Sequence, residues 1–259
     1  MAGSIEASTS GGICRVVISD PERLNAMTAA LADDLREQLL RAEQEARVII
    51  LTGAGKAFSA GANLGDVMAD PEVLADGGIL LERHYNPLIR TIRDLKIPLI
   101  TAVRGAAVGV GASLALIGDI IVASETAYFV QSFRYVGLVP DGGAPFTLAR
   151  SAGRVRAMEM MLLAEKLPAA KALDWGLVTR VVPDDHLDET VAEIAAELAN
   201  SAPFSVAQIR KMTWSALTST LDDALELEVV SQRRAVATGD FREGVQAFIE
   251  KRRAIFNGS

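Results

Sequence analysis

Two short uncharged runs limit this chain's fold more than any other feature. Val48-Ile49-Ile50-Leu51-Thr52 and Leu99 to Val103 are continuously apolar rather than alternating. A strand that reads this way is covered on both faces, as in a parallel sheet with helices above and below. The first run ends in Gly53-Ala54-Gly55. The second leads into Gly105-Ala106-Ala107-Val108-Gly109-Val110-Gly111. Glycine where strands end lets the backbone turn tightly or come close to something else.

The surrounding pattern agrees with a layered α/β body. Ile13 to Ser19 reads as a strand. Thr28 is placed to cap a helix bearing Leu31, Leu35 and Leu39 on one face. The pattern dissolves between Gly65 and Gly78, where a mobile loop is expected. A helix over about 80–95 follows, disturbed at Pro87. Further strands are expected at Ile120 to Ala123, Ala127 to Val130 and Val178 to Val182. An apolar helix runs to about Leu116. Beyond Val182 the chain turns helical, with Leu187, Val191, Ile194 and Leu198 on one face. Gly239 is expected to close one helix and Asp240 to cap the last. The division expected is a core over 1–199 and a helical segment over 200–259.

Composition excludes several function classes. A net charge of −7 is a poor match to non-specific nucleic-acid binding, which rests on neutralised phosphates. The single cysteine, Cys14, forms no intramolecular disulfide, and with only two histidines it makes a zinc site a poor expectation. The longest uncharged run, Gly105 to Gly118, is short of the roughly 20 residues of a membrane span. Met1 to Gly12 lacks the features of a targeting segment, so a cytoplasmic location is expected.

Some familiar signals fail on inspection. Gly53-Ala-Gly-Lys56 lacks the earlier glycine and the metal-binding Ser or Thr of a phosphate loop. Gly109-x-Gly111 lacks the third glycine of a dinucleotide fingerprint. Gly111-Ala-Ser113-Leu-Ala115 resembles a nucleophile elbow without its final glycine. Neither His84 nor His186 is well placed to serve Ser113, which reads as a small residue at a helix start.

Three segments taken in order carry a resemblance: Gly55-Lys-Ala-Phe-Ser-Ala-Gly-Ala-Asn-Leu64, Gly105 to Ser113, and Gly137-Leu-Val-Pro-Asp-Gly-Gly143. Pro21 to Met27, Trp175-Gly-Leu-Val178 and Phe241 to Phe248 support them. Together they resemble the crotonase (enoyl-CoA hydratase/isomerase) superfamily, most of all its epoxyphenylacetyl-CoA isomerase-like branch. The resemblance implies a spiral of β-β-α turns with a C-terminal helical trimerisation domain. It also implies an acyl-CoA thioester substrate, no cofactor beyond the CoA the substrate carries, and a homotrimer or dimer of trimers. No nucleic-acid or membrane partner is expected.

The chemistry shared by such proteins is stabilisation of a thioester oxygen that becomes negative as an enolate forms. Two backbone N–H groups can supply it, each worth about 3–4 kcal/mol in well-studied cases. The resemblance assigns these to Ala60 and Val110. It assigns substrate or CoA contacts to Leu24, Ala62, Leu64, Gly109, Phe133, Phe248 and Lys251. Taken singly, the glycine segments read equally as tight turns, and Lys251 as part of a solvated basic face.

Hydratases of the family use two carboxylates, at the positions here held by Ser113 and Phe133. Neither is acidic. Asp141 is the one acid left in a motif position, which suits proton shuffling between carbons better than addition of water. Its competing reading is a helix N-cap, since Asp after Pro and before Gly-Gly favours caps and turns. A helix terminus would weaken it as a base, and an apolar pocket would strengthen it. Phe133, Tyr135 and Val136 are candidates to line that pocket. The leading expectation is an enoyl-CoA isomerase; a hydratase and a non-catalytic acyl-CoA binder are the alternatives.

Overall fold

A computed structural model describes residues 3–259. Among the described residues ten strands lie in two sheets. The larger joins β1 (Ser4–Ser10), β2 (Ile13–Ser19), β3 (Val48–Gly53), β5 (Leu99–Val103), β7 (Ile120–Ser124) and β10 (Arg180–Val182), in that order. The smaller joins β4 (Ala57–Ser59), β6 (Ala106–Val108), β8 (Tyr128–Val130) and β9 (Leu167–Pro168). Pairing is parallel except for β1 with β2 and β8 with β9. Each of β3, β5 and β7 is followed by a short strand of the smaller sheet. The chain therefore crosses repeatedly between the two layers.

The uncharged runs do what their composition demands. In β3, Ile49 and Leu51 enter the main core with Leu31, Leu35 and Leu39 of helix Ala29–Glu45. Val48 and Ile50 enter a second core on the opposite face with Leu187, Val191 and Ile194 of helix Leu187–Ala199. Neither face of the strand meets water, so there is no polar alternation to read. Thr28 caps the first of these helices, accepting from the Leu31 amide at 3.1 Å.

Several expectations are corrected. The polar N-terminus is an edge strand, β1. Its side chains are mostly exposed, so no apolar pattern marks it. The short strands β4, β6 and β9 were not anticipated, because two or three residues carry no legible period. The stretch from Gly65 to Gly78 is not an irregular loop. It holds helices Leu64–Ala69 and Pro71–Ala75, capped by Asn63 and Asp70. The disturbance expected at Pro87 falls one turn earlier, as a π-turn over Leu81–Tyr85. Helical backbone runs without a break into helix Asn86–Asp94, and the widened turn lies just before Pro87, where the proline's missing N–H and its ring displace the carbonyls one turn back. Thr238, not Asp240, caps the final helix Gly239–Glu250. Asp240 instead accepts from the amides of Asn257 and Gly258 and so holds the C-terminal tail. Gly239 closes nothing: the preceding helix, Leu221–Val236, ends at Ala237. Among the described residues no helix is long and apolar enough to cross a membrane.

Candidate functional site

The site is built from the backbone. Leu24 and Asn25 both adopt left-handed conformations, which makes a tight corner. Asn25 is wholly buried and holds the corner in place. Its Oδ1 accepts from the Asp20 amide at 2.9 Å, and its Nδ2 donates to the carbonyls of Ala54 and Ala57, each at 2.8 Å. The corner is thereby locked to β4 and to the chain that leaves it.

That chain, residues 59–63, has almost every amide committed. The Ala60 N–H donates to the Leu24 carbonyl at 2.9 Å. The Gly61 N–H donates to Ser59 Oγ at 3.2 Å, and Ser59 Oγ donates to the Asn25 carbonyl. The Asn63 N–H donates to the Met27 carbonyl at 2.8 Å. Only the Ala62 N–H has no acceptor among the described residues. This corrects the assignment of Ala60: its amide is already used in holding the corner, and the free donor lies two residues on. Ala62 is half-buried, so its N–H is open to an acceptor that is not part of the protein.

The second segment turns on Gly109, whose φ of 54° sends the chain from β6 into helix Val110–Ala115. The Gly109 amide donates to the Val130 carbonyl at 2.8 Å. Val110 is the first helical residue, so its N–H has no partner within the helix. It does not adopt a positive φ, so the branched side chain imposes no strain. The two segments touch. A Cβ built on Gly61 would lie 2.6 Å from the Val108 carbonyl oxygen, and one on Gly109 would lie 3.9 Å from Gly61 Cα. The Ala62 and Val110 amides therefore flank one glycine–glycine contact.

Asp141 approaches the same place from the third segment. Ser113 Oγ lies 3.0 Å from the Asp141 carbonyl, to which it donates. A Cβ on Gly142 would stand 2.7 Å from Ser113 Cβ and 3.4 Å from Val110 Cγ2. The Asp141 loop thus sits directly on the helix that begins with the free amide. The carboxyl does not cap a helix. Gly143 holds the cap position of helix Ala144–Ser151, with no side-chain bond. Asp141 Oδ1 is instead buried with no hydrogen-bond partner. Burial pushes the carboxyl up to about 7, because the charged form loses water and gains no compensating donor.

The two positions without acids are filled in physically distinct ways. Ser113 spends its hydroxyl on main-chain carbonyls, those of Asp141 and Gly109. Phe133 is buried, with its ring edge 3.7 Å from where a Gly109 Cβ would be. Tyr135 and Val136, expected beside it, are 62% and 51% exposed, and the Tyr135 hydroxyl donates to the Leu163 carbonyl. Both lie largely at the surface.

Ala62, Gly109, Val110, Phe133 and Asp141 are thus brought together, with Leu24 behind them through Ala60. Leu64 is exposed on the first turn of helix Leu64–Ala69. Phe248 is 85% exposed on helix Gly239–Glu250, and Lys251 ends that helix in a left-handed conformation. Among the described residues no hydrogen bond joins either of these two to the cluster. Sequence reasoning missed Tyr85. It is buried, and its hydroxyl donates to the Met27 carbonyl at 3.3 Å. Burial, with the nearby charges of Asp141 and Asp66, raises its pKa. The only sequence signal was a tyrosine just before Asn86-Pro87.

Comparison with known proteins identifies relatives over nearly the whole chain. The family model described as Enoyl-CoA hydratase/isomerase matches residues 8–259. A 1,2-epoxyphenylacetyl-CoA isomerase of Escherichia coli (strain K12) is 43% identical over 250 residues, 95% of each chain. A mitochondrial enoyl-CoA hydratase of Pongo abelii is 33% identical over 243 residues, covering 93% of this chain and 82% of that one. The crystal structure of an enoyl-CoA hydratase from Polaromonas sp. JS666 superposes with a TM-score of 0.92 at 33% identity, over 98% of this chain and all of that one. With a matching family model over nearly its whole length, a mixed α/β fold shared with solved relatives, and the three motif segments meeting at one point, the chain belongs to the enoyl-CoA hydratase/isomerase (crotonase) family.

Proposed function

We propose that the protein is an enoyl-CoA isomerase in which the Ala62 and Val110 amides hold the thioester oxygen and Asp141 moves the proton. One observation carries this reading: a buried carboxylate with a free oxygen lies on a loop packed against Val110, whose amide, like that of Ala62, has no acceptor among the described residues, and no second acid occupies the family's other acid positions. On a 3-enoyl-CoA, Asp141 takes a proton from the α-carbon. The C–H electron pair moves into the dienolate, and the thioester oxygen bears the charge between the two amides. Asp141 then returns the same proton to the γ-carbon, leaving the double bond in conjugation. Atoms and charge balance without water, and CoA enters only as part of the substrate. Apolar walls such as Phe133 keep the carboxylate basic and exclude the water a hydratase would add.

The experiment is incubation with 3-hexenoyl-CoA, following the absorbance of the conjugated 2-enoyl product. Turnover should rise with pH and level off above about 7, since the working form is the ionised carboxylate. A profile flat from pH 5 to 8, or no conjugated product, would remove the assignment. The second reading is an enoyl-CoA hydratase, favoured by the hydratase names among the relatives. Rapid water addition to crotonyl-CoA would establish it. Binding of CoA esters without either reaction would leave a non-catalytic binder.

We extend the proposal to assembly. Residues 1–199 would form the β-β-α spiral and 200–259 the segment that joins copies into a homotrimer or a dimer of trimers. The helices of that segment expose Leu221, Leu225, Val229, Val245, Phe248 and Ile249, an apolar surface large for a single copy. Phe248 and Lys251 would then serve the ligand of a neighbouring copy. Light scattering should give three or six times the 27.5 kDa chain mass, and a monomer would refute it. The setting proposed is the cytoplasm.

A further inference from the structure

We propose that Tyr85 is a positioning residue for the reaction: its phenol, acting through the Met27 carbonyl, fixes the direction of the Ala62 N–H. This rests on the reading of Ala62 given above and extends it to a residue outside the three motif segments.

Met27 is the hinge of the inference. It forms a parallel bridge with Ala62. The Met27 N–H donates to the Gly61 carbonyl at 2.7 Å, and the Met27 carbonyl accepts from the Asn63 N–H at 2.8 Å. These two bonds grip the chain on both sides of Ala62 and leave its own N–H pointing free. The Tyr85 hydroxyl is a second donor to that same Met27 carbonyl. A second donor limits how that carbonyl can tilt, and so steadies the Ala62–Asn63 peptide, the unit joined through Ala62 Cα to the Gly61–Ala62 peptide that carries the free N–H.

Tyr85 also belongs to the Asp141 side. One helical turn on, Ile89 Cγ2 lies 3.7 Å from where a Gly143 Cβ would stand. The helix that carries the phenol therefore packs on the loop that carries the carboxylate. Tyr85 ends the π-turn at Leu81–Tyr85, a local departure from α-helical register often associated with functional sites. Only 1% of the side chain is exposed. Phenylalanine would fill the same space without having to bury a hydroxyl. The hydroxyl is accounted for by the bond it makes, and that bond reaches Met27, the residue bridged to Ala62.

The test compares the full-length protein with Tyr85→Phe. With a carbonyl-labelled butyryl-CoA bound, infrared difference spectra report hydrogen bonding to the thioester oxygen without requiring turnover. The wild type should shift the carbonyl band to lower frequency, and Tyr85→Phe should shift it less. In parallel, α-proton exchange of butyryl-CoA in D₂O and isomerisation of 3-hexenoyl-CoA should both fall about tenfold, near the net worth of one neutral hydrogen bond. KM and the pH midpoint should stay in place, because the ring that shields the site remains. An unchanged carbonyl band and unchanged exchange would overturn the Tyr85 role while leaving the isomerase reading intact. A rise in KM with kcat unchanged would also overturn it, by making Tyr85 merely structural. A wild type that shifts no carbonyl band removes both proposals together.

Discussion

Asp141→Asn should lose nearly all turnover and yet give a more stable protein at pH 8. Asparagine keeps the shape of the side chain and removes the base, so turnover should fall by about 10²–10⁴. The stability effect follows from burial. An aspartate in an unfolded chain ionises near 3.9. In the folded protein burial raises Asp141 to about 7. Between those values the folded state holds a proton that the unfolded state has released. Raising the pH through this window therefore weakens the wild type, and the loss is complete above about 7. Asparagine has no charge to bury, so the variant escapes it. Its advantage in melting temperature should be largest at pH 8 and vanish below about pH 4. A variant that keeps wild-type turnover, or that is less stable than the wild type at pH 8, would show that Asp141 is not a buried catalytic base.

The second large effect is expected from Gly61→Ala. Main-chain donors have no side chain to delete, so the geometry that aims them must be disturbed instead. Gly61 has φ of 92°, and an added Cβ would stand 2.6 Å from the Val108 carbonyl oxygen and 3.3 Å from its carbon. Those atoms are backbone and cannot swing aside, so the two amide-bearing segments must separate. Loss of one well-aimed donor lowers turnover by about 10²–10³. The left-handed strain adds about 1–2 kcal/mol of instability. Gly153→Ala is the control. Its φ of 83° imposes similar strain, but nothing lies within 4 Å of the added atom. It should lower stability by a comparable amount and leave turnover near that of the wild type. Equal activities in the two variants would show that spacing between the two segments does not matter.

Much of the architecture was legible because it depends on composition over short windows. A run such as Val48–Thr52 has no polar side to offer water, so any fold must cover both its faces, and the two cores do so. Thr28 reads as a cap because its hydroxyl needs a partner only three residues away. Short strands such as Ala57–Ser59 were not legible. Their pairing is set by neighbours some 50 residues distant, not by any period of their own.

Within the site the division is sharper. The absence of acids at Ser113 and Phe133, and the presence of one at Asp141, are plain in the residues themselves. Once the resemblance to the crotonase superfamily marks those positions, they direct attention from water addition to proton transfer. Whether Asp141 caps a helix or stands unpartnered is a matter of which groups surround it, and both outcomes are compatible with Pro-Asp-Gly-Gly. The Ala60 and Ala62 amides are equivalent in a one-dimensional string. They differ only because the corner at Leu24 and Asn25 folds back and takes up the first, leaving the second without an acceptor. Side-chain chemistry is written in the chain, whereas the surplus of a backbone donor is the remainder after every distant partner has been placed, and only the folded structure performs that subtraction.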